Sequence, residues 1–162
     1  MHETDRTLYL LCGIPYSGKS TFADKDPVLS GLPCLSSDAI ILAKAEQQGT
    51  TYDRIFLESI KDAEKTFQNQ VAAHFEAGKS FIIDRTNGNP NTRKKFCQTA
   101  RKYGFRTVCI YFNPPSDEEI RKRIAMRKNQ TLSLQRVLSF KNSFVLPTLD
   151  EGFDAYFVVR QQ

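Results

Sequence analysis

One nine-residue stretch near the start of the chain carries the residue types that bind phosphate. It reads Gly13-Ile14-Pro15-Tyr16-Ser17-Gly18-Lys19-Ser20-Thr21, which fits the pattern of a glycine, four residues and then Gly-Lys-Ser. The glycines let backbone N–H groups surround a phosphate chain, and a helix that begins at the phosphates favours an anion. Lys19 would place its charge on the β- and γ-phosphates, and the Ser20 hydroxyl is the expected Mg²⁺ ligand. The stretch therefore predicts binding of ATP, or a related nucleoside triphosphate, together with Mg²⁺.

Two aspartates could complete a site around this loop. Asp84 ends the apolar run 80–84, and Asp38 follows the shorter segment 32–36. Ligands of open α/β sheets bind beyond the carboxyl ends of the strands, so both carboxylates should lie near the phosphates. Asp84 could hold Mg²⁺ directly or through water, or it could be a turn residue. Asp38 could accept a proton from an acceptor hydroxyl, or Ser-Ser-Asp could cap a helix, and residue type alone weighs the two equally.

Arg123 and Arg127 are four residues apart in a basic stretch that is predicted to be helical. Two guanidinium groups one helical turn apart suit a lid, at about 123–135, that stabilises charge on a transferring phosphoryl group. Such a lid would also exclude water from ATP. The alternative is a solvated basic helix face with no role in chemistry.

Apolar runs and helical periodicity alternate along the chain, which indicates how these residues are positioned. Strands are predicted at 7–12, 32–36, 80–84, 106–112 and 155–159, and the main helices at about 39–48, 52–77, 91–103, 116–128 and 132–144. This alternation predicts an α/β fold with a parallel sheet and helices on both faces. A chain of 162 residues is expected to form a single domain, 1–162.

The composition excludes some classes of protein, but it does not identify the substrate. The net charge of +5 is compatible with a polyanionic partner, but a basic nucleotide cleft or a solvated surface would also explain it. No apolar run approaches the roughly 18 residues of a membrane span, and the first residues are polar. The four cysteines have no metal-binding spacing. We therefore expect a cytoplasmic protein without a membrane segment.

Several stretches together carry a family resemblance. They are the phosphate-binding stretch 13–21, Ser-Ser-Asp at 36–38, Ile-Ile-Asp-Arg-Thr-Asn at 82–87, the two arginines, and Pro-Thr-Leu-Asp-Glu-Gly-Phe at 147–153. On these residues the chain resembles the polynucleotide 5′-hydroxyl kinase family and its stand-alone, AAA-type P-loop kinase relatives. The resemblance implies a P-loop kinase fold whose five strands have the order 2-3-1-4-5, with a small helical lid.

The resemblance also implies a reaction and a role for each residue. The chain would transfer the γ-phosphoryl group of ATP to a hydroxyl, with Asp38 as general base and Asp84 near Mg²⁺. Lys19 and Ser20 would bind the phosphates and the metal, while Arg123 and Arg127 would act from the lid. The implied acceptor is the 5′-hydroxyl of a polynucleotide. The alternatives are a small hydroxyl compound such as a nucleoside, sugar or antibiotic, or an ATP-binding switch that is not a kinase.

The chain departs from the family at two positions. The phage members have an arginine three residues after the base, where it grips a phosphate of the acceptor, and this chain has Ile41 there. An isoleucine cannot bind a phosphate, although Lys44 or Arg54 could take over that contact. Tyr16 is also larger than the small residue that is common at its place in the loop.

Overall fold

The computed structural model describes residues 5–130 and 132–161, so residues 1–4 and 162 of the predicted domain and Thr131 of the predicted lid lie outside it. Its strands are β1 (Thr7–Cys12), β2 (Cys34–Leu35), β3 (Phe81–Asp84), β4 (Arg106–Phe112) and β5 (Ala155–Val159). Its helices are α1 (Lys19–Lys25), α2 (Ser37–Gln47), α3 (Tyr52–Ala77), α4 (Pro90–Lys102), α5 (Asp117–Met126) and α6 (Leu134–Ser143). Short 3₁₀ turns form at Leu29–Gly31 and Leu149–Glu151.

The five strands form one sheet in the order β2-β3-β1-β4-β5, and every neighbouring pair is parallel. Parallel neighbours need crossover connections, which the intervening helices supply. The predicted α/β fold and its strand order are confirmed. Because Leu11 of β1 is in register with Asp84 of β3, the loop that follows Cys12 begins beside the Asp84 carboxylate.

The alternating side chains of β1 explain why helices cover both faces of the sheet. Leu8 and Leu10 point into a core cluster with Phe67 and Phe75 of α3, whereas Leu11 joins a second cluster with Ala23 of α1. Successive residues of a strand face opposite sides, so these clusters lie on opposite faces. The sheet is consequently buried on both sides, as its continuous apolar runs predict.

Element boundaries agree with the sequence where local signals are strong. The 26-residue helix α3 begins at Tyr52 and ends before Gly78, whose φ of 71° closes the helix in the left-handed conformation. Helix α5 ends at Met126, two residues before the predicted end, because the Arg127 amide donates to the Ile124 carbonyl and the backbone then becomes extended. No helix in residues 5–130 and 132–161 is long and apolar enough to cross a bilayer.

Candidate active site

The loop between β1 and α1 has the tight geometry that its glycines allow. Gly18 has a φ of 92°, a conformation that side-chain-bearing residues rarely adopt. A Cβ atom on Gly13 would lie 2.8 Å from Ser17 Oγ and 3.0 Å from Phe112 Cβ, so no larger residue fits there. The Ser17 hydroxyl is itself buried and has no hydrogen-bond partner within the described residues. The loop is therefore compact, and it holds a polar group that is available to a ligand.

Lys19 lies across this loop. Its Nζ donates hydrogen bonds to the carbonyl oxygens of Gly13 at 2.8 Å and Ile14 at 3.0 Å. Burial lowers the pKa of Lys19, and the negative charges of Asp84 and Asp38 are among the groups that oppose this effect. Both hydrogen bonds of Lys19 Nζ go to neutral carbonyl oxygens, so an anion bound in the loop would add a direct ionic contact.

Ser20 and Asp84 form the pair that the sequence predicts as metal ligands. The Ser20 hydroxyl donates to Asp84 Oδ2 at 2.7 Å, although the two residues are 64 positions apart in the chain. Mg²⁺ prefers oxygen ligands and commonly takes only one or two carboxylates, completing its shell with phosphate and water. The hydroxyl and carboxylate fit this requirement, and the described residues contain no cluster of three His, Cys, Asp or Glu side chains that would suit another kind of metal site.

The surroundings of Asp38 separate its two possible roles. Ser36 is the N-cap of α2, where its hydroxyl accepts a hydrogen bond from the Ala39 amide at 3.4 Å. Asp38 lies in the first turn with an exposed side chain, and its Oδ1 accepts a 2.7 Å hydrogen bond from the Tyr52 hydroxyl. Because Ser36 performs the capping, the Asp38 carboxylate is left to face the cleft.

Two cavities lie on either side of the phosphate-binding loop. The Asp38 cavity, of about 370 Å³, is lined by loop residues together with Asp38, Tyr52 and Asp84. The Arg123 cavity, of about 680 Å³, is lined by Arg123 and by residues of α1, β4 and the C-terminal end. Both cavities share the lining residues Tyr16, Ser17, Gly18, Thr21 and Arg127. One ligand could therefore extend from one cavity to the other across the loop.

The two arginines do not form the matched pair that the sequence predicts. Arg123 is bound on three sides, donating to the Tyr16 carbonyl at 2.6 Å, to Glu119 Oε1 at 3.0 Å and to Gln161 Oε1 at 3.2 Å. It lines only the Arg123 cavity. The prediction that both lie on one helix face is wrong for Arg127, which follows the end of α5 in an extended conformation.

Arg127 instead lies above the phosphate-binding loop. Its guanidinium carbon is 5.2 Å from the centre of the Tyr16 ring, and Nη1 donates to Gln130 Oε1 at 3.3 Å. Arg127 lines both cavities, whereas Arg123 lines the Arg123 cavity but not the Asp38 cavity. The structure therefore places the two arginines differently relative to the phosphate-binding loop.

A network beneath the loop also contributes to the site, and sequence reasoning missed it. The Gly13 amide donates to the Thr86 carbonyl at 3.0 Å, and Asn87 Nδ2 donates to the Leu11 carbonyl at 2.7 Å. The fully buried Arg93 donates to the Asn87 carbonyl at 2.8 Å and forms two hydrogen bonds with Glu151, at 2.6 and 3.0 Å. Stretches 82–87 and 147–153 are thus joined in one structural support for the loop.

The sequence does hold a signal for part of this network. Arg93 lies three and four residues before Phe96 and Cys97, so it falls on the apolar face of α4. An arginine on such a face needs a buried partner. The contact between Tyr52 and Asp38 has no comparable signal, because it depends on how α2 packs against α3.

Comparison with known proteins agrees with this geometry. A bifunctional polynucleotide phosphatase/kinase from Schizosaccharomyces pombe is 27% identical over 151 residues, which is 90% of this chain and 31% of that protein. The chain thus spans about a third of the length of this relative. Among solved structures, a Chloroflexus aurantiacus protein assigned as a kinase has a TM-score of 0.71 at 18% identity, covering 98% of this chain and 87% of its own.

A second solved structure has the same fold over almost the whole chain. It is the shikimate kinase of Acinetobacter baumannii in complex with shikimate, with a TM-score of 0.58 at 18% identity, covering 99% of this chain and 87% of its own. These structures confirm the predicted P-loop kinase fold. A family model described as an AAA domain matches residues 8–147, and the chain belongs to that family.

Proposed function

We propose that this protein is an ATP-dependent kinase that transfers the γ-phosphoryl group to a hydroxyl of a small molecule. One observation carries the proposal: Asp38 lines the same cavity as Lys19, Ser20 and Asp84. A carboxylate with no capping role, open to the cavity that holds the phosphate-binding residues, has the position of a general base. A simple nucleotide switch has no need of such a group.

The reaction follows from these positions. The acceptor oxygen forms a bond to the γ-phosphorus while the bond from that phosphorus to the β–γ bridging oxygen breaks, and ADP leaves. Asp38 accepts the acceptor's proton, and Lys19 and Arg127 stabilise the negative charge on the phosphate oxygens. Ser20 and Asp84 would hold Mg²⁺, which supplies further charge neutralisation at the phosphates.

The Arg123 cavity suits the nucleoside end of ATP. It is the larger of the two, and Phe22, Phe112 and Met126 give it apolar lining. A base placed there would leave the triphosphate to run over the loop towards Asp38. Donor and acceptor would then approach from opposite sides, as an in-line displacement requires.

The acceptor side favours a small molecule. Ile41, at the position where the phage kinases have an arginine, is completely buried and packs in a cluster with Ala45 and Ile55. The Ile41 side chain does not line the Asp38 cavity and has no group that could bind a phosphate. The cavity is also bounded by the apolar side chains of Leu42 and Leu132. The shikimate kinase of similar fold is complexed with a small hydroxyl compound, which supports the same class of acceptor here.

A polynucleotide 5′-hydroxyl is the second candidate. It is favoured by the 27% identity to the polynucleotide phosphatase/kinase over 90% of this chain. The exposed Arg54 and the half-buried Lys44 could contact nucleic acid phosphates outside the cavity. This reading requires the backbone of the acceptor to be held at the rim of the cavity rather than within it.

An acceptor screen tests the proposal. The protein is incubated with γ-labelled ATP and Mg²⁺ in the presence of nucleosides, sugars, hydroxy acids or 5′-hydroxyl oligonucleotides, with Asp38→Asn as the matched control. Label on a small hydroxyl compound that depends on Asp38 is the expected result. If only the oligonucleotide is labelled, the acceptor is a polynucleotide and not a small molecule. ATP hydrolysis without any labelled acceptor would favour a switch protein.

A further inference from the structure

Tyr16 has an unusual place in the phosphate-binding loop. Its φ of 68° is left-handed, a conformation that costs free energy for residues other than glycine. Its side chain is nevertheless buried, with 9% of its surface exposed. A residue in such a conformation must be stabilised by its contacts. The contacts of Tyr16 outside the loop are with residues between 120 and 137.

The Tyr16 hydroxyl binds the segment that follows α5. It donates to the Gln130 carbonyl at 3.2 Å and accepts from the Leu132 amide at 3.1 Å. Arg127 lies over the face of the same ring, as a cation–π contact. The side chain therefore contacts Arg127, Gln130 and Leu132, hereafter the lid segment.

Apolar packing brings the loop and the lid together. Tyr16 and Ile14 of the loop form one buried cluster with Ile120 of α5 and Val137 of α6. Arg123 completes the connection by donating to the Tyr16 carbonyl. The backbone and the side chain of this one residue are thus both bound to the elements that flank the cleft.

We infer that Tyr16 is a positioning residue that fastens the lid segment over the phosphate-binding loop and holds Arg127 at the transferring phosphoryl group. The catalytic part of this inference rests on the proposed kinase function. All three residues of the lid segment line the Asp38 cavity, and Arg127 also lines the Arg123 cavity, so fastening the segment excludes water from the γ-phosphate. If the segment is released, a water oxygen can attack the γ-phosphorus in place of the acceptor, giving ADP and inorganic phosphate.

Tyr16→Phe tests the fastening with little change in shape, because it removes only the hydroxyl and keeps the ring for Arg127. Hydrogen exchange of a peptide covering 128–134 reports the release directly, since the Leu132 amide loses its acceptor. We expect exchange there to become about 5- to 150-fold faster, the range for loss of the two neutral hydrogen bonds that the hydroxyl makes. The ratio of ATP hydrolysis to acceptor transfer should rise by a similar factor.

Two further variants make the test specific. Tyr16→Ala removes the ring as well, and it should lower kcat for transfer more than Tyr16→Phe because Arg127 then loses its support. Tyr103→Phe is the matched control, since Tyr103 stacks on Phe75 in the main core and lines neither cavity. It should change neither the exchange nor the hydrolysis ratio.

The outcomes separate this inference from the proposed function. Unchanged exchange at 128–134 in Tyr16→Phe would overturn the fastening, and faster exchange with unchanged ATP hydrolysis would overturn the exclusion of water. If the wild type labels no acceptor, the kinase proposal fails. Faster exchange together with faster ATP hydrolysis in Tyr16→Phe would still support the role of Tyr16.

Discussion

Asp38 depends on a residue fourteen positions further along the chain. The Tyr52 hydroxyl donates to Asp38 Oδ1 at 2.7 Å, so one carboxylate oxygen is held while the other can accept a proton. Burial raises the pKa of Tyr52 far above its ordinary value, and the hydrogen bond to Asp38 and the charge of that carboxylate raise it further. The phenol therefore keeps its proton and continues to donate throughout the working pH range.

Asp38→Asn should abolish the base while preserving the shape of the cavity. We expect kcat for transfer to fall by about 10²- to 10⁴-fold, the usual contribution of general base catalysis. The dissociation constant for ATP, measured by calorimetry, should stay within about twofold because the carboxylate does not touch the phosphates in this proposal. Unchanged turnover would remove the assignment of Asp38 as base.

Tyr52→Phe should have a smaller effect of the same kind. Loss of a hydrogen bond to a charged group, worth about 1.5–3 kcal/mol, predicts a fall in kcat of about 10- to 150-fold. The KM for ATP should not change, because Tyr52 lies on the acceptor side of the loop. Steady-state kinetics with each substrate varied in turn makes the distinction, with Tyr156→Phe on β5 as control. A rise in the KM for ATP alone would contradict a role through Asp38.

At the scale of elements, the strands and their ends can be predicted from the sequence, but the contacts between helices cannot. Continuous apolar runs locate β3 and β4, and an acid at the end of β3 places Asp84 beside the loop. The end of α5 is not predicted correctly: the helix ends at Met126, and the following Arg127 lies over the ring of Tyr16 from a distant loop. Local periodicity contains no information about such a contact.

The different positions of Arg123 and Arg127 predict different kinetic defects. Arg127→Ala should lower kcat more than it weakens ATP binding, because this side chain lies where charge develops during transfer. Arg123→Ala should chiefly weaken ATP binding, since it frees the Tyr16 carbonyl and removes a wall of the Arg123 cavity.

Titration calorimetry and single-turnover kinetics on the two variants measure these effects separately. The lysine variants provide matched controls that retain the charge but lose the planar geometry of the guanidinium. Equal defects in kcat and affinity for both arginines would show that they act as one pair, as the sequence alone suggests.

At the scale of the whole molecule, Arg93 of α4 and Glu151 of the turn Leu149–Glu151 link the C-terminal part of the chain to the residues beneath the phosphate-binding loop. Their side chains are 0% and 4% exposed, and Arg93 also binds the carbonyl of Asn87 beneath the loop. Burial alone would raise the pKa of Glu151, but the hydrogen bonds from Arg93 and the Thr148 amide and the charge of Arg93 outweigh it and lower the pKa. This carboxylate therefore stabilises the fold in its charged form.

Glu151→Gln should destabilise the protein by about 3–5 kcal/mol, because removing one partner leaves the Arg93 charge buried without compensation. Urea unfolding at pH 7 measures this loss, and the double variant Arg93→Met/Glu151→Leu should recover most of it. In the wild type the contribution of Glu151 is complete above its ordinary pKa of 4.5 and is lost as the pH falls through the lower folded-state pKa. The stability difference between wild type and Glu151→Gln should therefore narrow below about pH 4.5, and a difference independent of pH would contradict a charged Glu151.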